Sequence, residues 1–163
     1  MDILAIQVGD ALKAHGLMLA TAESCTGGGV AQAITDVAGS SVWFERGFVT
    51  YSNLSKQQML GVSEATLIRY GAVSEAVVRE MVAGALRNSA AQVALAVSGI
   101  AGPDGGTPDK PVGTVWFAWG MRDGVVQAMH HQIDGNRAEV RAQAVHIALQ
   151  GVLRLLDQRT ELA

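Results

Sequence analysis

Cysteine is almost missing from this chain. Cys25 is the only one among 163 residues, so no internal disulfide can form. Four scattered histidines and no cysteine pair leave no structural zinc spacing, and no metal is expected. Charge is sparse as well, at 17% of residues, and its balance is acidic, with a net charge of −3 and a pI near 5.7. The basic surplus of nucleic-acid and membrane-surface binders is therefore lacking, although a small anion held by a few local donors is not excluded. The start, Met1-Asp2-Ile3-Leu4, has no basic leader and no long apolar stretch behind it. Nowhere is there a run of ~20 apolar residues that would span a bilayer. The expectation is a cytoplasmic protein in a reducing compartment, with no nucleic-acid or membrane partner.

What is present is a hydrophobic fraction of 49% in a chain long enough to bury a real core. One domain, residues 1–163, is expected. Ile3 to His15 reads as an amphipathic helix stopped by Gly16, and Leu17 to Ala22 as a buried strand. A polar glycine-rich turn then leads into a helix over Val30 to Val37. Val42 to Tyr51 contains a strand, and Asn53 is expected to cap a helix from Leu54 to Leu60. Ser63 caps a short helix ending near Tyr70-Gly71, and Ser74 starts a helix through Asn88. In that helix Val78, Met81, Val82 and Ala85 follow the helical period. Strands follow at Gln92 to Val97, Val112 to Trp119 and Val125 to Ile133, with a long Gly/Pro loop over Gly99 to Gly113. Asp134-Gly135-Asn136 opens a last helix that runs to about Asp157. This alternation predicts an α/β domain with a mixed sheet, whose strand order the pattern does not reveal.

Four constellations could carry chemistry. In Glu23-Ser24-Cys25-Thr26-Gly27-Gly28 a glycine turn enters a helix and leaves backbone N–H groups free. Such a turn can bind phosphate, support an oxyanion, or simply be tight with Thr26 as N-cap. The second is Gly39-Ser40-Ser41 followed by Tyr51 and Lys56. Only Lys13, Lys56 and Lys110 occur, and a lysine desolvated beside a serine can serve as its base. The bland alternative makes these turn serines and a solvated helix lysine. The third is the loop from Ser98, Gly99 and Gly102 to Lys110-Pro111-Val112-Gly113-Thr114, whose glycines let backbone approach a ligand. The fourth is Arg137 with Arg141, one helical turn apart on the apolar side of the last helix, where both could grip an anion. His130 and His131 are adjacent on a strand and so point to opposite faces. Cys25 could be a nucleophile, but no histidine is near it in sequence. Trp43, Trp116 and Trp119 fit a core or an interface, and with the high apolar content they suggest a homodimer.

Together these motifs resemble the CinA C-terminal domain family, across nearly the whole chain and in order. The resemblance rests on Thr21 to Gly28, Gly39-Ser40-Ser41, Gly47 to Asn53, Lys56, Gly71 to Ser74, Ser98 to Pro103, Lys110 to Val115, and Arg137. It implies a three-layer fold with helices flanking the sheet, no cofactor, and hydrolysis of nicotinamide mononucleotide to nicotinic acid mononucleotide and ammonia. It also implies a serine–lysine mechanism, with Ser41 as nucleophile (Ser40 being the alternative), Lys56 as base and Tyr51 beside it. Ser24, Thr26, Gly27, Gly28, Ser98, Gly99, Gly102, Thr114, Arg137 and Arg141 are expected to line the site of this nucleotide substrate. Rival expectations are a nucleotide-binding module without turnover, tied to competence or DNA damage, and an amidase for a related nucleotide.

Overall fold

Small residues on one face of the central strands and large ones on the other set how the helices pack. In a computed structural model that describes residues 2–162, with side chains over 3–159, five strands form one sheet. They are β1 (Leu19–Glu23), β2 (Phe44–Val49), β3 (Val93–Gly99), β4 (Thr114–Met121) and β5 (Val126–Gln132), in the spatial order β2-β1-β3-β4-β5. β1 runs parallel to both neighbours, whereas β3, β4 and β5 pair antiparallel, so the sheet is mixed as expected. The helices are α1 (Asp2–His15), α2 (Gly29–Thr35), α3 (Asn53–Leu60), α4 (Glu64–Tyr70), α5 (Glu75–Arg87) and α6 (Arg137–Leu162). A single 3-10 turn covers Ser40–Val42.

Along β3, Val93, Leu95 and Val97 point into a core shared with α1, α2 and α6. The alternate residues Ala94 and Ala96, with Ala22 and Ala118, face α5 and the ends of α3 and α4. Period-two alternation thus separates a thick layer from a thin one. The three layers match the expected architecture. Trp43 and Trp119 are both 1% exposed within this chain's own core. Trp119 donates its indole N–H to the Ala148 carbonyl at 2.8 Å, and the absent side chain of Gly151 makes room for its ring. Their burial needs no second copy, so two of the three tryptophans give no support to a dimer.

Helix starts follow the local rules with two corrections. Ser63 and Ser74 cap α4 and α5 by accepting from Thr66 N and Val77 N. The cap of α3 is Ser52 rather than Asn53, in a reciprocal capping box with Ser55. Thr26 is not the cap of α2; that place is taken by Gly28, which has no side chain to offer. Asn136 caps α6 reciprocally with Glu139. Among the described residues, no helix is long and apolar enough to cross a membrane.

Candidate functional site

The turn after β1 is built around a buried acid. Glu23 is fully buried at the end of the strand. Its Oε1 accepts from Thr26 Oγ1 at 2.5 Å and from Val30 N at 2.9 Å, and its Oε2 accepts from Ala31 N at 3.0 Å. The carboxylate therefore stands where a capping side chain would, satisfying amides that the start of α2 leaves open. An anion already occupies that helix start, and it belongs to the protein. Neither Gly27 nor Gly28 lines the cleft described below. A glutamate ending an apolar strand ahead of a glycine turn was the available signal, since a buried charge needs partners.

Next to Glu23, Ser24 lies at the carboxyl end of β1. Its N–H donates to Val97 O of β3 at 3.0 Å, which fixes the backbone there. Thr50 follows β2 and donates its N–H to Glu23 O at 2.7 Å, drawing the start of α3 to the same end of the sheet. From α3, Lys56 turns inward. It is 1% exposed and its Nζ lies 3.0 Å from Ser24 Oγ, 2.9 Å from Thr50 O and 3.4 Å from Tyr51 O. Desolvation lowers its pKa from the usual 10.5 to about 8. As a neutral amine it can donate two N–H groups to the two carbonyls and aim its lone pair at the Ser24 hydroxyl.

The serine beside Lys56 is Ser24, not Ser41. Ser41 is exposed on the 3-10 turn, and Ser40 is on the same turn. That turn precedes β2 whereas Lys56 follows it, and six strand residues span roughly 20 Å at about 3.3 Å each. Ser40 and Ser41 therefore sit at the opposite end of the sheet from Lys56. Proximity in sequence misled here because a strand separates its ends as far as a chain can.

Ser24 and Lys56 open into a cleft of about 300 Å³ that also takes in Tyr51, Asn53, Ala72, Val73, Asp104, Arg137 and the segment from Ser98 to Gly102. It lies between the carboxyl ends of β1 and β3, where the order β2-β1-β3 reverses direction. Ligands of open α/β sheets bind at such a switch point. Ser98 Oγ donates to Ala72 O at 2.9 Å and ties the floor to the loop before α5. Arg137, exposed at the rim, donates to Gly102 O at 2.8 Å and to the Tyr51 hydroxyl at 3.2 Å. Tyr51 thus meets Lys56 through its carbonyl, while its ring is turned toward Arg137. Asn53, Ala72, Val73 and Asp104 were missed, because only the fold brings these loops together.

Other expected residues lie elsewhere. Thr26 spends its hydroxyl on Glu23, and Thr114 donates its hydroxyl to Pro111 O at 2.7 Å. Arg141 is half-buried outside the cleft and donates to Cys25 O at 3.0 Å and Thr26 O at 3.2 Å. Cys25 does border the cleft, but burial pushes its thiol up to about 11, so it stays protonated and weakly nucleophilic at neutral pH. No group of three or more His, Cys, Asp or Glu side chains could hold a metal among the described residues.

Fold and site together define a three-layer α/β protein whose cleft pairs a desolvated lysine with a serine at the strand ends. The chain belongs to the CinA C-terminal domain family, whose profile matches residues 1–156. A relative from Enterobacter agglomerans called nicotinamide-nucleotide amidohydrolase PncC is 58% identical over 151 residues, 93% of this chain and 92% of that protein. The protein of the same name from Escherichia coli K12 is 57% identical, over 96% and 95% of the two chains. The crystal structure of competence/damage inducible protein CihA from Agrobacterium tumefaciens superposes with a TM-score of 0.91 at 46% identity, covering 96% of this chain and 94% of that one.

Proposed function

We propose that this chain is a hydrolase that converts the carboxamide of nicotinamide mononucleotide to the carboxylate and releases ammonia, with Ser24 as nucleophile and Lys56 as base. The relatives named as nicotinamide-nucleotide amidohydrolases support the reaction. The observation that carries the mechanism is the 3.0 Å contact between Lys56 Nζ and Ser24 Oγ at the cleft. A serine hydroxyl needs a base to attack an amide. Among the described residues Lys56 forms no salt bridge, and a buried cation without an anion costs stability. That cost has a purpose if the group must be neutral to work, and none in a passive nucleotide-binding module.

Neutral Lys56 takes the Ser24 proton as Oγ bonds to the carboxamide carbon. The tetrahedral intermediate then collapses, its C–N bond breaks, and the Lys56 ammonium returns the proton to the departing nitrogen as ammonia. A water, deprotonated by the same amine, attacks the resulting ester and frees the acid and Ser24. The oxyanion is held by amides of the turn after Ser24, where the N–H groups of Cys25 and Thr26 donate to no backbone carbonyl among the described residues. With the start of α2 already taken by Glu23, the phosphate falls to Arg137 and the Gly99–Gly105 backbone at the rim.

Ammonia release from nicotinamide mononucleotide tests this reading. Ser24→Ala and Lys56→Ala should each lose about 10³-fold or more in turnover, and the double variant should be scarcely worse. Ser41→Ala should stay near wild type. A Ser24→Ala enzyme that still turned over, with Ser41→Ala dead, would overturn the assignment. Arg137→Ala should weaken binding of the product nucleotide while leaving the melting temperature nearly unchanged, and unaltered affinity would remove it from the phosphate site.

A further inference from the structure

We propose that Arg141 is a positioning residue for the oxyanion site, holding the peptide planes after Ser24 so that the Thr26 N–H faces the reacting carbonyl. The inference rests on the serine–lysine reading above and adds to it a residue that touches no substrate.

Arg141 spends two guanidinium donors on two successive carbonyls, Nε on Cys25 O and Nη2 on Thr26 O. It has no salt-bridge partner among the described residues. Arg137, one turn earlier on α6, reaches the cleft; Arg141 does not line it. A trans peptide is planar, so the Cys25 C=O and the Thr26 N–H point in opposite directions. The guanidinium approaches from α6, and Cys25, whose carbonyl it holds, itself borders the cleft. Holding the Cys25 carbonyl on the guanidinium therefore fixes the Thr26 N–H on the opposite edge of the same peptide plane.

A second observation agrees. Thr26 is buried, yet its N–H donates to no backbone carbonyl among the described residues, whereas the neighbouring Gly27 N and Gly29 N donate to Ser24 O and Thr26 O. Buried amides without partners are rare, and one placed two residues beyond a nucleophile fits a donor that awaits the oxyanion. The guanidinium lies so near the turn that a side chain on Gly27 would stand 3.3 Å from Arg141 Nη2. Lysine could keep the charge but could not bridge both carbonyls in the plane that a guanidinium offers.

The test compares Arg141→Lys and Arg141→Met with wild type in ammonia release from nicotinamide mononucleotide. Misplaced donors cost about 10- to 100-fold in kcat, with KM changed little, for both variants. Affinity for an aldehyde analogue of the nucleotide, which forms a tetrahedral adduct with Ser24, should fall in step with kcat, while affinity for the product nucleotide should hold. Added guanidinium ion should restore part of the Arg141→Met rate. A kcat near wild type in Arg141→Lys overturns the positioning role in favour of charge alone. A raised KM with unchanged kcat makes Arg141 a phosphate ligand instead. If Arg141→Met does not fold, the Lys variant and its analogue affinity decide. Turnover in Ser24→Ala would sink the covalent reading itself, separately from either result.

Discussion

At the scale of single residues, Lys56 is costly where it stands. Its pKa is about 8 folded and 10.5 in an open chain, so below pH 8 both states hold the proton and the folded state bears the desolvation. Between about pH 8 and 10.5 the unfolded chain binds more protons, and stability rises with pH. The gain is on the order of 3 kcal/mol across that window. Denaturant melts of wild type and Lys56→Met at pH 7 and pH 10 should show wild type gaining relative to the variant, and parallel pH dependences would contradict a buried, depressed lysine. Under the proposed mechanism kcat/KM should climb with pH toward a plateau above about 8, since only the neutral amine accepts the serine proton. A rate that fell through that range would require a different base. Cys25 behaves oppositely. With its thiol raised to about 11, iodoacetamide at pH 8 should leave the folded protein unmodified by mass spectrometry while the unfolded chain reacts.

Among the elements, α2 shows how a strand can cap a helix. Glu23 reaches across the turn to two α2 amides and the Thr26 hydroxyl, work usually given to a residue at the helix start itself. Glu23→Gln keeps the shape but presents an amide group where one acceptor oxygen was. It should cost about 1–3 kcal/mol in denaturant melts, and an unaffected melt would show that the cap is dispensable. On the opposite face, α5 approaches the end of α3 through Gly84. Ala usually stabilises a helix by about 1 kcal/mol over Gly. At Gly84 a side chain would stand 1.9 Å from Leu60 O, so Gly84→Ala should lower the melting temperature instead of raising it. The serine caps of α4 and α5 were legible because those bonds are local. The Glu23 cap was not, because its donors lie up to eight residues away and become neighbours only once the strand and helix have docked.

For the whole molecule, the mixed sheet places every cleft element at one end. β1 and β2 are parallel, so Ser24 and Thr50 leave their strands side by side, and β3 brings Ser98 and Gly99 to the other flank. The proposed serine–lysine mechanism needs side chains and backbone alone, so under it exhaustive chelation should leave ammonia release intact. Loss of turnover with EDTA that one added metal restores would break this account.

The amino-acid pattern by itself determined the α/β class and the order and type of the elements. These depend on periodicity and on caps within four residues, both properties of neighbours along the chain. Which serine Lys56 meets was decided only by the tertiary structure. Ser41 is nearer in sequence, 15 residues away against 32 for Ser24. An intervening strand carries Ser41 to the far end of the sheet, and parallel pairing of β1 with β2 delivers Ser24 to the near one. The two arginines of α6 divided in the same way. They share a face of one helix, but a single turn of rise is enough to set Arg137 at the rim of the cleft and Arg141 against the carbonyls behind it.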